Sequence, residues 1–151
     1  MMSPKFSLQN VLDLRHGKVE LLEIEMGKLL SALQETRSIL YSLQEFHAYL
    51  LEQLSLTQSG DIDLVKMNLL RLNLSQVNKR IEMVLIQISK QEKAVEIKRY
   101  EVIQAKQAEE TLEILKRKRH EVYVAEQVQI ETQQQDDIYI ARAFRNQEQG
   151  A

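Results

Sequence analysis

The chain of 151 residues has no cysteine, no tryptophan, one proline and four glycines. Without cysteine there is no disulfide framework, no thiolate nucleophile and no thiolate metal site. So few glycines and prolines leave it without the turn chemistry of an ordinary globule, and it reads as helix nearly throughout. No window approaches the roughly 20 uninterrupted apolar residues that a membrane span needs, and MMSPKFSLQN has no apolar signal-peptide core. A cytoplasmic chain with no direct membrane insertion is therefore expected. A net charge of -2 and a pI near 6.0 give no global attraction to nucleic acid or anionic lipid, so such a partner would need a local patch.

What the sequence does have is a long apolar repeat. Coiled coils place apolar side chains alternately three and four residues apart. One such seam runs through Leu8, Leu12, Arg15, Val19, Leu22, Met26, Leu29, Leu33, Thr36, Leu40, Leu43, His47, Leu50 and Leu54, and eleven of these fourteen positions are apolar. It predicts one helix over about 6–56, near 75 Å long at about 1.5 Å per residue. Gly17 and Gly27 each cost that helix about 1 kcal/mol relative to alanine. The break falls at Thr57-Gln-Ser-Gly-Asp-Ile-Asp63, a turn over about 57–62. Gly60 is the expected left-handed closing residue, and Asp61 or Asp63 the cap of the next helix.

A second seam follows in helix two, over about 63–145. It comprises Met67, Leu70, Leu74, Val77, Ile81, Val84, Ile88, Gln91, Val95, Lys98, Val102, Ala105, Glu109 and Leu112, again with eleven of fourteen apolar. A short connection makes the helices antiparallel neighbours. The fold class is all-α: two long helices in an antiparallel coiled-coil hairpin, taken as one domain over 1–151. Pairing about residue 60 sets residue i opposite 120 minus i, so that Phe6 faces Leu112 to Ile114. The chain beyond Ile114 is then an overhang that begins at the basic run Lys116 to Arg119. Its apolar residues, among them Val124, Val128, Ile130, Ile138 and Phe144, leave the old register and read as a stripe awaiting another protein.

No active-site layout is present, and no cofactor is expected. His47 falls in the seam as a structural residue, and His16 and His120, which the hairpin could bring together, lack the thiolates or positioned acid of a metal site. Asp61-Ile-Asp63 lacks the remaining ligands of a calcium loop, so helix capping explains it better. No glycine-rich phosphate loop occurs, and the many Glu and Lys residues between seam positions read as a solvated face with i to i+4 pairs. Lys116 to Arg119 has three readings: a solvated helix turn, a nucleic-acid patch lacking interleaved aromatics, or an electrostatic handle for an acidic protein surface.

The opening KFSLQNVLDLR, Lys5 to Arg15, is similar to the N-terminal signature of the flagellar export protein FliJ family. The stretch from Leu112 to Arg142 resembles that family's C-terminal region. There Leu112, Leu115, Lys116, Arg119, Tyr123, Glu126, Asp136, Asp137 and Arg142 carry the match, and with the two-helix plan the resemblance covers most of the chain. It implies a non-enzymatic coiled-coil stalk of flagellar type III protein export, similar in plan to the central stalk of rotary ATPases. It would act as a general chaperone that promotes the export ATPase ring and couples it to the membrane export gate.

The implied partners are the export ATPase hexamer, the cytoplasmic part of the gate and export chaperones, without nucleic acid. The implied location is cytoplasmic, peripheral at the inner membrane, and the chain is expected to be a monomer before assembly. By resemblance, Phe6, Leu8, Leu12, Arg15, Lys116, Arg119, Tyr123, Asp136, Asp137 and Arg142 would meet the ATPase. Leu43, Phe46, Leu50, Leu70 and Val77 would meet the gate, although the family tends to carry aromatic residues where this chain has Leu70, Asn73 and Val77. A structural adaptor or homo-oligomer unrelated to export, and an injectisome stalk, share the same sequence pattern.

Overall fold

In the computed structural model, which describes residues 6–150, two helices account for nearly the whole chain. α1 is Gln9–Gln58, of 50 residues, and α2 is Leu64–Gln149, of 86 residues. They form an antiparallel coiled-coil hairpin whose second helix continues past the end of the first. All twenty-eight seam positions are buried or half-buried, including the six polar ones, so the 3.5-residue repeat alone identified the packed faces.

The chain divides into two compact units. In the unit spanning 20–104, Leu33, Ile88 and Val95 form one buried cluster with Met26, Leu29, Leu40 and Val84 around it. Leu50, Leu70, Leu74 and Val77 form another, flanked by Leu54 and Ile81. Arg37 pairs with Glu92 at 3.2 Å, and Lys98 bridges Glu25 at 2.8 Å and Glu101 at 3.0 Å. In the unit made of 1–19 and 105–151, Leu12 and Val19 of α1 and Ala105 and Leu112 of α2 are buried.

The link between the helices closes by a different route from the one expected. No described glycine has a positive φ, so Gly60 does not supply a left-handed turn. Hydroxyls close to the end of α1 bond back to its last turns, and the Ser59 amide also reaches the Leu56 carbonyl at 3.4 Å. Thr57 Oγ1 donates to the Gln53 carbonyl at 2.8 Å, and Ser59 Oγ donates to that of Leu56 at 2.9 Å. Of the two candidate caps, Asp63 is the one used: its Oδ1 accepts from the Val65 and Lys66 amides at 3.1 and 3.2 Å. The first helix also starts later than expected, because Phe6 to Leu8 form a turn in which the Gln9 amide reaches the Phe6 carbonyl at 3.0 Å.

Register is the main correction. The link runs from Ser59 to Asp63, centred one residue beyond Gly60, and the cross-helix partners pair accordingly. Arg15 reaches Ala108, His16 reaches Glu109, and Ser7 reaches Arg119, pairs whose numbers sum to between 123 and 126 rather than 120. Phe6 therefore lies under Arg119, not opposite Leu112 to Ile114. The basic run therefore ends in a residue, Arg119, that is paired with the N-terminal segment, and is not the start of an unpaired arm. Every described residue from Val128 onward is exposed.

Candidate protein-binding surfaces

The N-terminal signature is held against α2 within its own unit. Arg15 occupies a seam position where an apolar residue would be usual. Its Nη1 donates to the Ala108 carbonyl at 2.8 Å, an oxygen whose second lone pair is free to accept. Alanines at 105 and 108 leave room for a guanidinium there. One residue on, His16 Nδ1 lies 2.6 Å from Glu109 Oε1. His16 is thus opposite Glu109 and not His120, which lies roughly 16 Å further along α2 at about 1.5 Å per residue. Among the described residues no group of three or more His, Asp or Glu side chains could hold a metal ion.

Arg119 clamps the start of the described chain. Its Nη1 donates to Ser7 Oγ at 2.8 Å, and its guanidinium carbon stands 5.4 Å from the Phe6 ring centroid, within cation–π range. Phe6, Leu8 and Tyr123 are half-buried and Leu12 is buried. Lys5, which opens the similarity to the family signature, lies outside the described residues. Lys116, Arg117 and Lys118 are exposed beside the clamp. The structure thus brings Phe6, Leu8, Leu12 and Arg15 together with the stretch from Ala108 to Tyr123. Asp136, Asp137 and Arg142 lie further along α2 and are exposed.

Beyond the clamp α2 has an order of charge that residue counting along the seam overlooked. Between His120 and Arg142 there are five carboxylates, Glu121, Glu126, Glu131, Asp136 and Asp137, and no cation. Val128, Ile130, Ile138, Tyr139, Ile140 and Phe144 are each at least 48% exposed on the same stretch. A partner approaching it meets a basic turn, then an acidic apolar helix.

Of the residues that the resemblance assigns to the gate, Leu43, Leu50, Leu70 and Val77 are buried in the seam, at 3 to 8% exposure. Their spacing is that of the core, and the core is where they lie. Phe46 is outside it, 45% exposed and stacked on Tyr49 with ring centroids 6.3 Å apart and planes 17° from parallel. A shallow surface depression beside it is lined by Ser38, Ile39, Ser42, Leu43, Phe46 and Arg80. Among the described residues no helix is long and apolar enough to cross a membrane.

No curated protein and no solved structure matches the chain. A family model described as flagellar FliJ protein matches residues 4–148, nearly the whole length. The chain accordingly belongs to the flagellar FliJ protein family, and its role lies in flagellar export.

Proposed function

We propose that the chain is a non-enzymatic export component that binds the export ATPase ring and promotes its activity. The observation that carries this reading is the helix from Val128 to Gln149: all of it is exposed, it bears a row of large apolar side chains, and no other described residue covers it. An apolar helix of this kind is the usual donor in helix-in-groove recognition. The neighbouring basic turn, Lys116 to Lys118, adds a charge that orients an acidic partner surface during encounter. Arg15 and Arg119 hold the N-terminal segment in place, so their part is to position Phe6 and Ser7 rather than to touch the ring.

The same proposal gives the second surface, around Phe46 and Tyr49, to the cytoplasmic part of the membrane export gate, with Leu43, Leu50, Leu70 and Val77 as the packing beneath it. Export chaperones are further expected partners, and the site of action is the cytoplasmic face of the inner membrane. The test is hydrolysis by the purified cognate ATPase with and without the protein. Full-length protein is expected to raise the rate, and a chain ending at Gln127 to leave it near basal. Equal stimulation by the two would remove the exposed helix from the ATPase contact.

A further inference from the structure

α2 carries a second 3.5-residue repeat on the side facing away from its partner helix. Starting at Leu69, steps of three and four lead through 72, 76, 79, 83, 86, 90, 93, 97 and 100. In a two-helix coiled coil these outer positions face water and are normally the most polar. Here six of the ten are Leu69, Leu72, Met83, Ile86, Ile97 and Tyr100, between 55 and 70% exposed. The remaining four are Gln76, Lys79, Lys90 and Lys93, so the line holds three cations and no carboxylate. The equivalent outer line of α1, from Ser31 to Glu52, reads Ser, Glu, Ser, Ser, Glu, Tyr, Glu. Toward its start that α1 line also carries exposed Leu14, Leu21 and Ile24, so it is from Ser31 onward that the outer apolar line belongs to α2, where it extends for roughly 47 Å at about 1.5 Å per residue.

We propose that this face of α2 is a docking track for a third helix supplied by a partner protein, an amphipathic helix with apolar residues in heptad spacing and Asp or Glu beside them. Spacing specifies the class of occupant, because only another helix matches a 3.5-residue repeat over this many turns. Charge specifies its sign, because the lysines interrupting the line would repel a basic helix and attract an acidic one. The track is separate from the surface around Phe46 and from the exposed end of α2, and it stands whether or not those meet the gate and the ATPase.

The probe is a synthetic peptide of about four heptads with leucine at its seam positions and glutamate flanking them. Like-charge repulsion keeps such a peptide largely unfolded alone, so docking is read as a gain of helicity by circular dichroism on mixing with the full-length protein. The expected result is a gain with the glutamate peptide and none with a lysine-flanked one. Combining Leu72→Glu, Met83→Glu and Ile86→Glu should weaken binding at least roughly tenfold. Lys79→Glu, Lys90→Glu and Lys93→Glu together should transfer the preference to the lysine peptide. Ser31→Glu on α1 should change nothing. No gain with either peptide, or a gain indifferent to the α2 substitutions, overturns the proposal. Sedimentation showing that the unmixed protein is a dimer dispersed by the same three apolar substitutions would also overturn it, assigning the track to a second copy of this chain.

Discussion

Gln91 and Lys98 are polar residues in a seam that is otherwise mostly apolar, and the hairpin treats them differently. Lys98 has both carboxylates it needs. Hydrogen bonds to Glu25 and then to Glu101 raise its pKa above the usual 10.5. The protonated form is therefore favoured by folding, a contribution fully present below pH 10.5 and lost as pH rises through the higher folded value. Lys98→Met should flatten the alkaline fall in melting temperature relative to the parent, as thermal scans between pH 9 and 12 would register. Gln91 is less well served: its Oε1 is buried with no hydrogen-bond partner. Thr36, in the matching layer beside the Arg37–Glu92 pair, donates its hydroxyl to its own helix at Ala32, 3.0 Å away. A buried unsatisfied oxygen costs about 1 to 3 kcal/mol, so Gln91→Met should stabilise the protein by about 1 kcal/mol in denaturant titration. A fall in stability would mean that the amide is satisfied in solution.

The helices themselves were legible because their signal repeats many times, whereas each end depends on a single residue. Asp61 and Asp63 are equivalent as letters, and only the geometry of the link decides that Asp63 caps α2. Asp63→Ala should cost about 1 kcal/mol and Asp61→Ala almost nothing, as measured by chemical unfolding. Glycine so often closes a helix that Gly60 is the natural left-handed candidate, but it is Ser59 whose hydroxyl and amide bond the Leu56 carbonyl at the end of α1. Nothing lies within 4 Å of where a Gly60 Cβ would stand, and its φ is not positive. Gly60→Ala should consequently stabilise the chain by about 0.5 kcal/mol through the unfolded state, where a positive-φ glycine would have made the same change destabilising. The outer track on α2 also had a sequence signal. That signal is weaker than the seam's, because Gln76, Lys79, Lys90 and Lys93 interrupt it and polar residues outside a seam read as a solvated face.

At the scale of the whole molecule, hydrophobic periodicity defined the partner faces but not the register between them. A seam looks the same after a slip of a few residues, and the length of the link decides the offset. That offset moves the last paired residues of α2 from about Leu112 to Arg119 and beyond. Two truncations separate the possibilities. A chain ending at Gln127 should melt within a degree or two of the full protein, because everything removed is exposed; one ending at Ile114 should melt visibly lower, having lost the Arg119 clamp together with Leu115 and Tyr123. Equal melting of the two shortened chains would return the boundary to Ile114.

The exposed end of α2 has a thermodynamic consequence of its own. From Val128 to Gln149 the helical conformation is maintained by backbone hydrogen bonds and residue propensity, without a packed face, and a helix stretch held in that way is in equilibrium with its unwound form, fraying from the C-terminal end. A partner that grips it as a helix must first collect the fraction of molecules in which it is formed, and the measured affinity is reduced by that fraction. Affinity then becomes adjustable at sites that touch nothing. Gln133→Ala and Gln135→Ala together should tighten binding by raising helix content alone, visible as a faster on-rate with little change in the off-rate.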